Sequence, residues 1–447
     1  MSNVKQLEKK YPLEVILLAS PVYWPEDESR RALFSEISEA MGINQKDDWK
    51  VICIDSDAGI EAIESGPSKS ARVVVALSGG IQPWMLRITT CTAHIGLFNA
   101  YLPEALPAES SGKLMHANAH PSSTDFFAHC RLESKPVQWL STLNELREYA
   151  TAWQAVSRLK KARILKIGET EPWVINSCRS PETIAARAGT EVIPVEREEL
   201  YAIYRNVSED EGRIEAEHWL QNNPQLIDIA QDDVVKACRV TVAMRKLLEE
   251  RKADGLSMAC FAMIGDIDTT SCLSLSALND SATAIGACEG DLDAALTLFL
   301  LKSLGADFVW IANPIIHQNN VIDLAHCTAP TCGCGSTLSY RLMRHHESGR
   351  GVSPEVTLPD AKTASAVRVS INAREIACHV GLTENKDKLP ACHTQTRLHV
   401  QSTKEALNSL LGTHLVISFG DYGKYLEYAA AMLGFGYTLT RREPAQQ

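Results

Sequence analysis

Short apolar runs alternate with amphipathic segments along most of the 447-residue chain. A run of apolar and β-branched residues at 72–78 predicts a buried strand, and apolar residues that recur every three or four positions at 27–41 predict a helix. Strands and helices that alternate in this way are typical of α/β domains with parallel sheets. The pattern therefore predicts an α/β fold, with a doubly wound domain at residues 1–160 and a second βα domain at residues 161–350.

The pattern changes after residue 350, where shorter strands are predicted at 367–371 and 395–400. A predicted strand at 413–418 and a predicted helix at 422–433 close the chain. We therefore predict a third α/β domain at residues 351–447 with a more β-rich end, and we expect its segment 413–433 to pack on the second domain.

Residues 284–296 carry the densest group of chemically active side chains. An apolar run ends at Cys288, Glu289 and Asp291 stand on either side of Gly290, and a helical pattern then continues to residue 304. This order predicts a strand, a tight turn and a helix, and such turns lie at the edge of a parallel sheet where ligands bind. Two carboxylates around a glycine suit a divalent cation. The alternative is that both acidic residues only cap the helix.

The composition excludes several classes of partner. The net charge is -11 and the chain has no cluster of lysine and arginine, which argues against a nucleic-acid or anionic membrane surface. No apolar run is long enough to span a bilayer, and residues 1–10 lack the apolar core of an export signal. The 13 cysteines are odd in number and scattered, as reduced thiols are. We therefore expect a cytoplasmic protein that binds neither nucleic acid nor membrane.

A second group of candidate ligands lies in a glycine-rich loop. His326 and Cys327 follow an apolar run, and Cys332 and Cys334 come shortly after them. Three thiols and an imidazole so close together could hold zinc or contribute to an iron–sulfur cluster. The spacing is standard for neither metal centre, so reduced, partly buried thiols are the alternative.

Several motifs in the second half of the chain resemble the L-fucose isomerase-like superfamily, which includes L-fucose and L-arabinose isomerase-type sugar isomerases. The motifs are Cys272-Leu-Ser-Leu-Ser276, Ala287-Cys-Glu-Gly-Asp-Leu-Asp-Ala-Ala-Leu-Thr297, Ala312-Asn-Pro314, Leu324-Ala-His-Cys-Thr-Ala-Pro330, His346-Glu-Ser-Gly-Arg-Gly-Val352 and Gly412-Thr-His-Leu-Val-Ile-Ser-Phe-Gly-Asp-Tyr422. Weaker similarity upstream implies two Rossmann-like domains before the C-terminal one.

The resemblance implies a divalent ion, usually manganese, in a site built from acidic residues and a histidine. It implies Asp291 and His414 as ligands, with Glu289 beside them as a further ligand or as a base. The position of the first acidic ligand falls on Met263, and a thioether cannot replace a carboxylate as a ligand for a hard cation. Asp266 or Asp268 from the same segment, or Glu289, would then have to supply the missing charge.

The activity implied is a metal-dependent interconversion of an aldose and a ketose. The reaction moves a proton between adjacent carbons through an enediolate, so it requires a base and a cation. On this scheme His326 contacts substrate hydroxyls or relays a proton, and Asn313 and His346 bind substrate. A histidine after an apolar run, such as His326, is alternatively a core residue. His345 is predicted on the solvated face of a helix.

Met263 leaves other functions open. They are a lyase or epimerase that uses the same metal-stabilised enolate, a thiolate-metal enzyme that uses zinc or an iron–sulfur centre in the cysteine loop, and a sugar-binding protein without catalysis. The expected partner in each case is a small carbohydrate. The resemblance also implies a homo-oligomer, a trimer or a hexamer.

Overall fold

The computed structural model describes residues 6–43, 48–66, 71–385 and 388–442. Residues 1–5, on which part of the export prediction depends, lie outside this range. The chain divides into two compact units: one is Lys10–Gln154, and the other combines the residues up to Lys9 with Ala155–Gln447.

The first unit contains a parallel five-stranded sheet. Its strands are β1 (Leu13–Leu18), β2 (Trp49–Ile54), β3 (Ala71–Ala76), β4 (His94–Phe98) and β5 (Val137–Leu140). The helices that alternate with them are α1 (Asp27–Ala40), α2 (Asp57–Glu64), α3 (Gln82–Thr90), α4 (Ala108–His116) and α5 (Ala119–Leu132), and α6 (Leu143–Leu159) follows. The strand order β2-β1-β3-β4-β5 is that of a doubly wound fold.

The second unit begins with a parallel four-stranded sheet. Its strands are β6 (Arg163–Ile167), β7 (Glu191–Val195), β9 (Gly255–Met258) and β10 (Ile285–Cys288), in the order β10-β9-β6-β7. The helices of this region are α7 (Pro181–Ala188), α8 (Arg197–Asn206), α9 (Glu209–Leu220), α10 (Gln231–Glu250), α11 (Phe261–Asp266), α12 (Cys272–Asp280) and α13 (Leu292–Ser303).

A larger antiparallel sheet follows in the same unit. It is formed by β11 (Trp310–Ile316), β12 (Val321–His326), β17 (Thr363–Ser370), β18 (Glu375–Glu384), β19 (Thr394–His399), β20 (Leu415–Phe419) and β21 (Gly436–Arg441). The order is β17-β20-β11-β12-β19-β18-β21, and β17 also pairs with β18. Six of these strands therefore close into a barrel, with β21 attached in parallel to β18.

Smaller elements complete the fold. Strands β8 (Gln225–Ile227), β15 (Tyr340–Met343) and β16 (Ser353–Val356) form a three-stranded sheet, and β13 (Cys332–Gly333) and β14 (Ser336–Thr337) form a short hairpin. The last helices are α14 (Thr403–Asn408) and α15 (Gly423–Leu433). None of the helices in the described ranges is long and apolar enough to cross a membrane.

Helix α13 joins the four-stranded sheet to the barrel. It is buried over almost its whole length and packs against β9 and β10 on one side and against β17 and β20 on the other. A helix with no solvated face needs partners all round, and this position brings residues from both sheets to its N-terminus. The α/β fold with parallel sheets and a β-rich C-terminal region is confirmed, and the domain boundaries at residues 160 and 350 stay predictions.

Candidate active site

The predicted strand, turn and helix around Glu289 are confirmed: β10 ends at Cys288 and α13 begins at Leu292. Glu289 and Gly290 both have left-handed backbones, with φ of 59° and 66°. A Cβ at Gly290 would lie 2.7 Å from Thr170 Cα, so only glycine fits the turn. A left-handed backbone at a glutamate is strained, and such strain is common at functional sites.

Glu289 is a buried anion that two histidines face. Its side chain accepts a hydrogen bond from Trp173 Nε1 at 2.7 Å. His414 Nε2 lies 3.6 Å and His326 Nε2 lies 3.9 Å from Glu289 Oε1. Burial alone would raise the pKa of Glu289, but the two histidines hold it well below its usual range.

Asp291 is fully buried, and both of its oxygens are occupied. It caps α13 by accepting a hydrogen bond from the Ala294 N–H at 2.9 Å, as the capping alternative predicts for this residue. Arg368 of β17 binds it through two nitrogens, at 2.7 and 3.1 Å. His414 Nδ1 lies 2.8 Å from Asp291 Oδ2. Burial opposes ionisation, but Arg368 and His414 lower the pKa of Asp291 far below its usual range.

The structure brings Asp291, His414 and Glu289 together, but not around one point. His414 directs Nδ1 to Asp291 and Nε2 to Glu289, so the two carboxylates meet different atoms of one ring. An ion on Asp291 would stand beside the Arg368 guanidinium, which already neutralises this carboxylate. Asp291 is therefore better placed to orient the His414 ring, through Nδ1 of that ring, than to bind an ion itself.

His326 ends β12 and is buried beside His414. Its Nδ1 lies 3.0 Å from Thr328 Oγ1, which leaves Nε2 towards Glu289. The rings of His326 and His414 are nearly perpendicular, with centroids 5.6 Å apart. Buried His414 Nε2 has no hydrogen-bond partner among the described residues. Glu289 Oε1 thus lies near both imidazole nitrogens, and carboxylate and imidazole ligands suit a divalent ion. The two nitrogens are not drawn together around that oxygen, since Glu289, His326 and His414 do not form a set of ligand atoms within 4.8 Å of one another.

The segment after β9 does not supply the carboxylate that Met263 lacks. Met263 is buried in the core of the second unit. Asp268 is exposed and pairs with Lys236 at 2.9 Å, and Asp266 lies near Tyr201, where its charge adds to the effect of burial in raising the pKa of that phenol. Neither aspartate is therefore arranged as a replacement ligand.

Glu171, which the sequence analysis missed, stands next to Glu289 instead. Its backbone N–H donates to the Glu289 carbonyl at 3.0 Å, and its side chain accepts from the Phe261 N–H at 3.2 Å. Burial and the charge of Glu289 raise the pKa of Glu171. Glu171 follows β6, so the strand-end rule that identified Glu289 could have found it too.

An aromatic surface borders the two carboxyl groups. Trp173 is 51% exposed, although its Nε1 is bound to Glu289. Its ring meets Phe261 edge-on at 4.9 Å, and Phe261 meets His345 edge-on at 6.0 Å. The Trp173 ring is therefore held by its neighbours, while about half of the residue remains open to solvent.

The other predicted substrate residues are less closely placed. Asn313 is half-buried in β11, opposite Ala325 of β12. His346 is exposed, and its ring lies 5.5 Å from that of His393. The prediction for His345 is wrong: it follows β15 in a turn rather than a helix, and it is only 5% exposed.

The cysteine loop does not form one ligand set. Cys332 and Cys334 are exposed in and beside the β13–β14 hairpin, and Asp280 accepts the Cys332 N–H at 2.7 Å. Cys327 is buried, with its sulfur 3.4 Å from that of Cys272. In the described ranges, two sets of three ligand atoms lie within 4.8 Å of one another: Cys272, Cys327 and His345, and Cys288, Glu289 and His326. The hairpin carries Cys332 and Cys334 away from both sets.

No protein-family model matches the chain. Over 273 residues the chain is 24% identical to a sulfoquinovose isomerase from Alkalicoccus urumqiensis, and the match covers 60% of this chain and 56% of that protein. The chain thus spans little more than half the length of this relative. It is similar, over that part, to an isomerase that acts on a sugar.

Proposed function

We propose that the chain is a sugar isomerase that interconverts an aldose and a ketose. The observation that carries the proposal is the centre at the end of β10, where Glu289 faces the Nε2 atoms of His326 and His414. The similarity to a sulfoquinovose isomerase supports the same class of reaction.

A divalent ion, manganese or zinc, would be held by Glu289, His326 and His414. Nitrogen and oxygen ligands around such an ion stand roughly 3.3 Å apart, and Glu289 Oε1 and His414 Nε2 are 3.6 Å apart. When bound, the ion would polarise the sugar carbonyl and stabilise the negative charge of the enediolate. Asp291, with its charge balanced by Arg368, would hold the His414 ring in place.

The raised pKa of His414 supports the binding of a cation beside this ring. Burial lowers the pKa of His414, but Asp291 and Glu289 more than compensate and raise it to about 9. The two carboxylates therefore stabilise a positive charge on this ring, which a proton supplies when no ion is bound. An ion bound to Nε2 would displace that proton.

Glu171 is the proposed base. Isomerisation requires a group that removes a proton from one carbon and returns it to the next, and such a group works best with a pKa near the working pH. Glu171 fits this role because its pKa is raised, whereas the histidines hold the pKa of Glu289 low. The Phe261 N–H fixes the carboxyl group of Glu171.

Trp173 is the proposed platform for the sugar ring. Its face is half-exposed beside Glu289, and its orientation is fixed by the hydrogen bond to that carboxylate. The apolar face of a sugar can cover such an indole while its hydroxyl groups reach the histidines. The substrate would thereby be aligned with both carboxyl groups.

The test is conversion of a panel of aldoses, sulfoquinovose among them, followed by NMR in deuterated water with manganese or zinc added. We expect a ketose product with deuterium at the carbon that receives the proton. Glu289→Gln and Glu171→Gln should slow the exchange by a factor of about 10² or more, and Asp268→Asn, a surface control, should not. A product epimeric at one carbon, an eliminated product, or sugar binding without exchange would each contradict isomerisation.

We also propose that the protein is cytoplasmic and forms a homo-oligomer. The exposed apolar side chain of Ile175 lies two residues from Trp173 and offers a contact for a neighbouring copy. Light scattering should give a mass that is a multiple of 49.1 kDa. A single-chain mass at micromolar concentration would contradict the oligomer.

A further inference from the structure

Four soft donor side chains from four separate segments meet beside the candidate active site. Cys272 begins α12, Cys327 follows β12, His345 follows β15, and Cys392 precedes β19. The ligand atoms of Cys272, Cys327 and His345 all lie within 4.8 Å of one another, and all three residues are buried. Cys392 lies near Cys327 and interacts with its thiol, but it stands outside this set.

We propose that Cys272, Cys327 and His345 bind a zinc ion, and that the neighbouring Cys392 moves in to complete the site. Three thiolates and one imidazole are a common donor set of closed zinc sites. Sulfur ligands of a tetrahedral zinc ion stand roughly 3.8 Å apart, because each bond is about 2.3 Å long. The sulfurs of Cys272 and Cys327 are 3.4 Å apart, so a small movement would bring them to this separation. They are too far apart to be bonded as a disulfide.

The imidazole of His345 is already oriented as a zinc ligand requires. Its Nδ1 lies 3.0 Å from Ser348 Oγ, which leaves Nε2 for an ion. The turn that carries it is closed by two backbone hydrogen bonds, His345 N–H to Arg350 at 3.1 Å and Gly349 N–H to His345 at 2.9 Å. A second hydrogen bond that fixes the ring is usual for a metal-binding histidine.

Cys392 is also held in position. Gln395 Nε2 donates to the Cys392 carbonyl at 2.9 Å, and Gln395 Oε1 accepts the Leu389 N–H at 2.8 Å. These bonds fold the segment before β19 back on itself. Cys392 is half-buried, so it is the side on which an ion would enter.

The zinc ion would connect the barrel, α12 and the three-stranded sheet. Cys327 directly follows His326, so the ion would also fix the end of β12 from which His326 faces Glu289. This structural site does not depend on the isomerase activity, because none of its four ligands belongs to the Glu289, His326 and His414 set.

The test is metal analysis of protein purified without chelator, followed by replacement of the metal with cobalt. We expect about one thiolate-bound ion per chain, and a thiolate-to-cobalt charge-transfer band in the near ultraviolet. Cys272→Ser combined with His345→Gln should lose both the ion and the band. Cys332→Ser combined with Cys334→Ser, a matched control in the exposed hairpin, should keep both. Glu289→Gln should also keep the band, which separates this site from the proposed catalytic ion.

Wild-type cobalt protein without the band would overturn the proposal, and so would a band that survives in the Cys272 and His345 variant. Loss of the band in the hairpin control would transfer the site to Cys332 and Cys334. If the first variant fails to fold, alkylation of the wild type decides: zinc should protect the half-buried Cys392 until a chelator is added, whereas Cys332 and Cys334 should be labelled throughout. Equal labelling of Cys392 with and without chelator would contradict the site.

Discussion

The two parallel sheets obey the same strand-end rule but use it differently. In the five-stranded sheet, the polar residues after the strands bind one another or nearby backbone. The Ser20 N–H donates to Ser78 Oγ at 2.8 Å, Arg30 binds Asp55 at 3.0 Å, and Asn99 donates to the Leu140 carbonyl at 3.1 Å. These contacts pair the polar groups of that edge within the five-stranded unit itself.

In the four-stranded sheet, the polar residues after the strands bind residues of the barrel. Glu289 meets His326 and His414, and Asp291 meets Arg368, all of which come from the antiparallel strands or the residues beside them. The difference between the two sheets shows that the strand-end rule predicts where polar groups gather. Which chemistry they perform depends on the charges that a second layer supplies.

The strongest test of this difference is to remove one carboxylate charge at the edge of each sheet and to compare the activities. Glu289→Gln removes the charge that both histidines face, and we expect kcat to fall by about 10³-fold, within the range of acid–base and ligand residues. Asp55→Asn in the other sheet should leave activity unchanged. Steady-state kinetics and circular dichroism of both variants would measure this. Equal losses in the two variants would show that the edges do not differ in function.

The buried pair of Arg368 and Asp291 should give the largest effect on stability. Arg368→Leu leaves Asp291 buried with His414 as its remaining charged partner, and breaking a buried ion pair in this way costs about 3–5 kcal/mol of unfolding free energy. Adding Asp291→Asn should restore part of it, because the buried charge is then gone as well. Urea unfolding of the single and double variants measures the coupling. Additive losses would show that the pair does not act as a unit.

Glu171→Gln separates the role of the proposed base from that of the proposed ion ligands at the edge of the four-stranded sheet. The base is removed while the proposed ion ligands remain, so kcat should fall by about 10²-fold and metal content should not change. Glu169→Gln is the matched control, because Glu169 lies in the same loop and pairs with Lys166 at 2.7 Å. A loss of metal in the Glu171 variant would assign this residue to the ion instead.

The sequence predicted the parts of this molecule that depend on local pattern. The strand, turn and helix at Glu289 follow from apolar periodicity and one glycine, and the α/β alternation follows from the same signals. The role of Asp291 could not be read, since Arg368 lies 77 residues away in β17 and nothing local marks the pair. Strand pairing in the barrel decides that contact.

Neighbours in sequence also misled the interpretation of the thiols. Cys327, Cys332 and Cys334 are close along the chain, but a hairpin turns the last two outward, and Cys327 instead meets Cys272, which is 55 residues away. His345 stands between Arg344 and His346, and this polar surrounding predicts a solvated helix face. The short strand β15 ends just before it, and the following turn folds His345 inward.

The smallest expected effect concerns Asp293, in the first turn of α13, where burial raises the pKa from 3.8 to about 7. The folded protein then holds a proton that the unfolded chain has released, so this group stabilises the fold fully below about pH 4 and the contribution is lost as the pH rises through about 7. Asp293→Asn keeps the shape without the charge. Relative to wild type, it should gain roughly 1–2 kcal/mol at pH 8 and little at pH 4. Urea unfolding at both pH values, with exposed Asp57→Asn as control, measures the change. A gain of equal size at both pH values would show that Asp293 does not titrate in this range. The free energy of unfolding would then not depend on pH through this residue of α13.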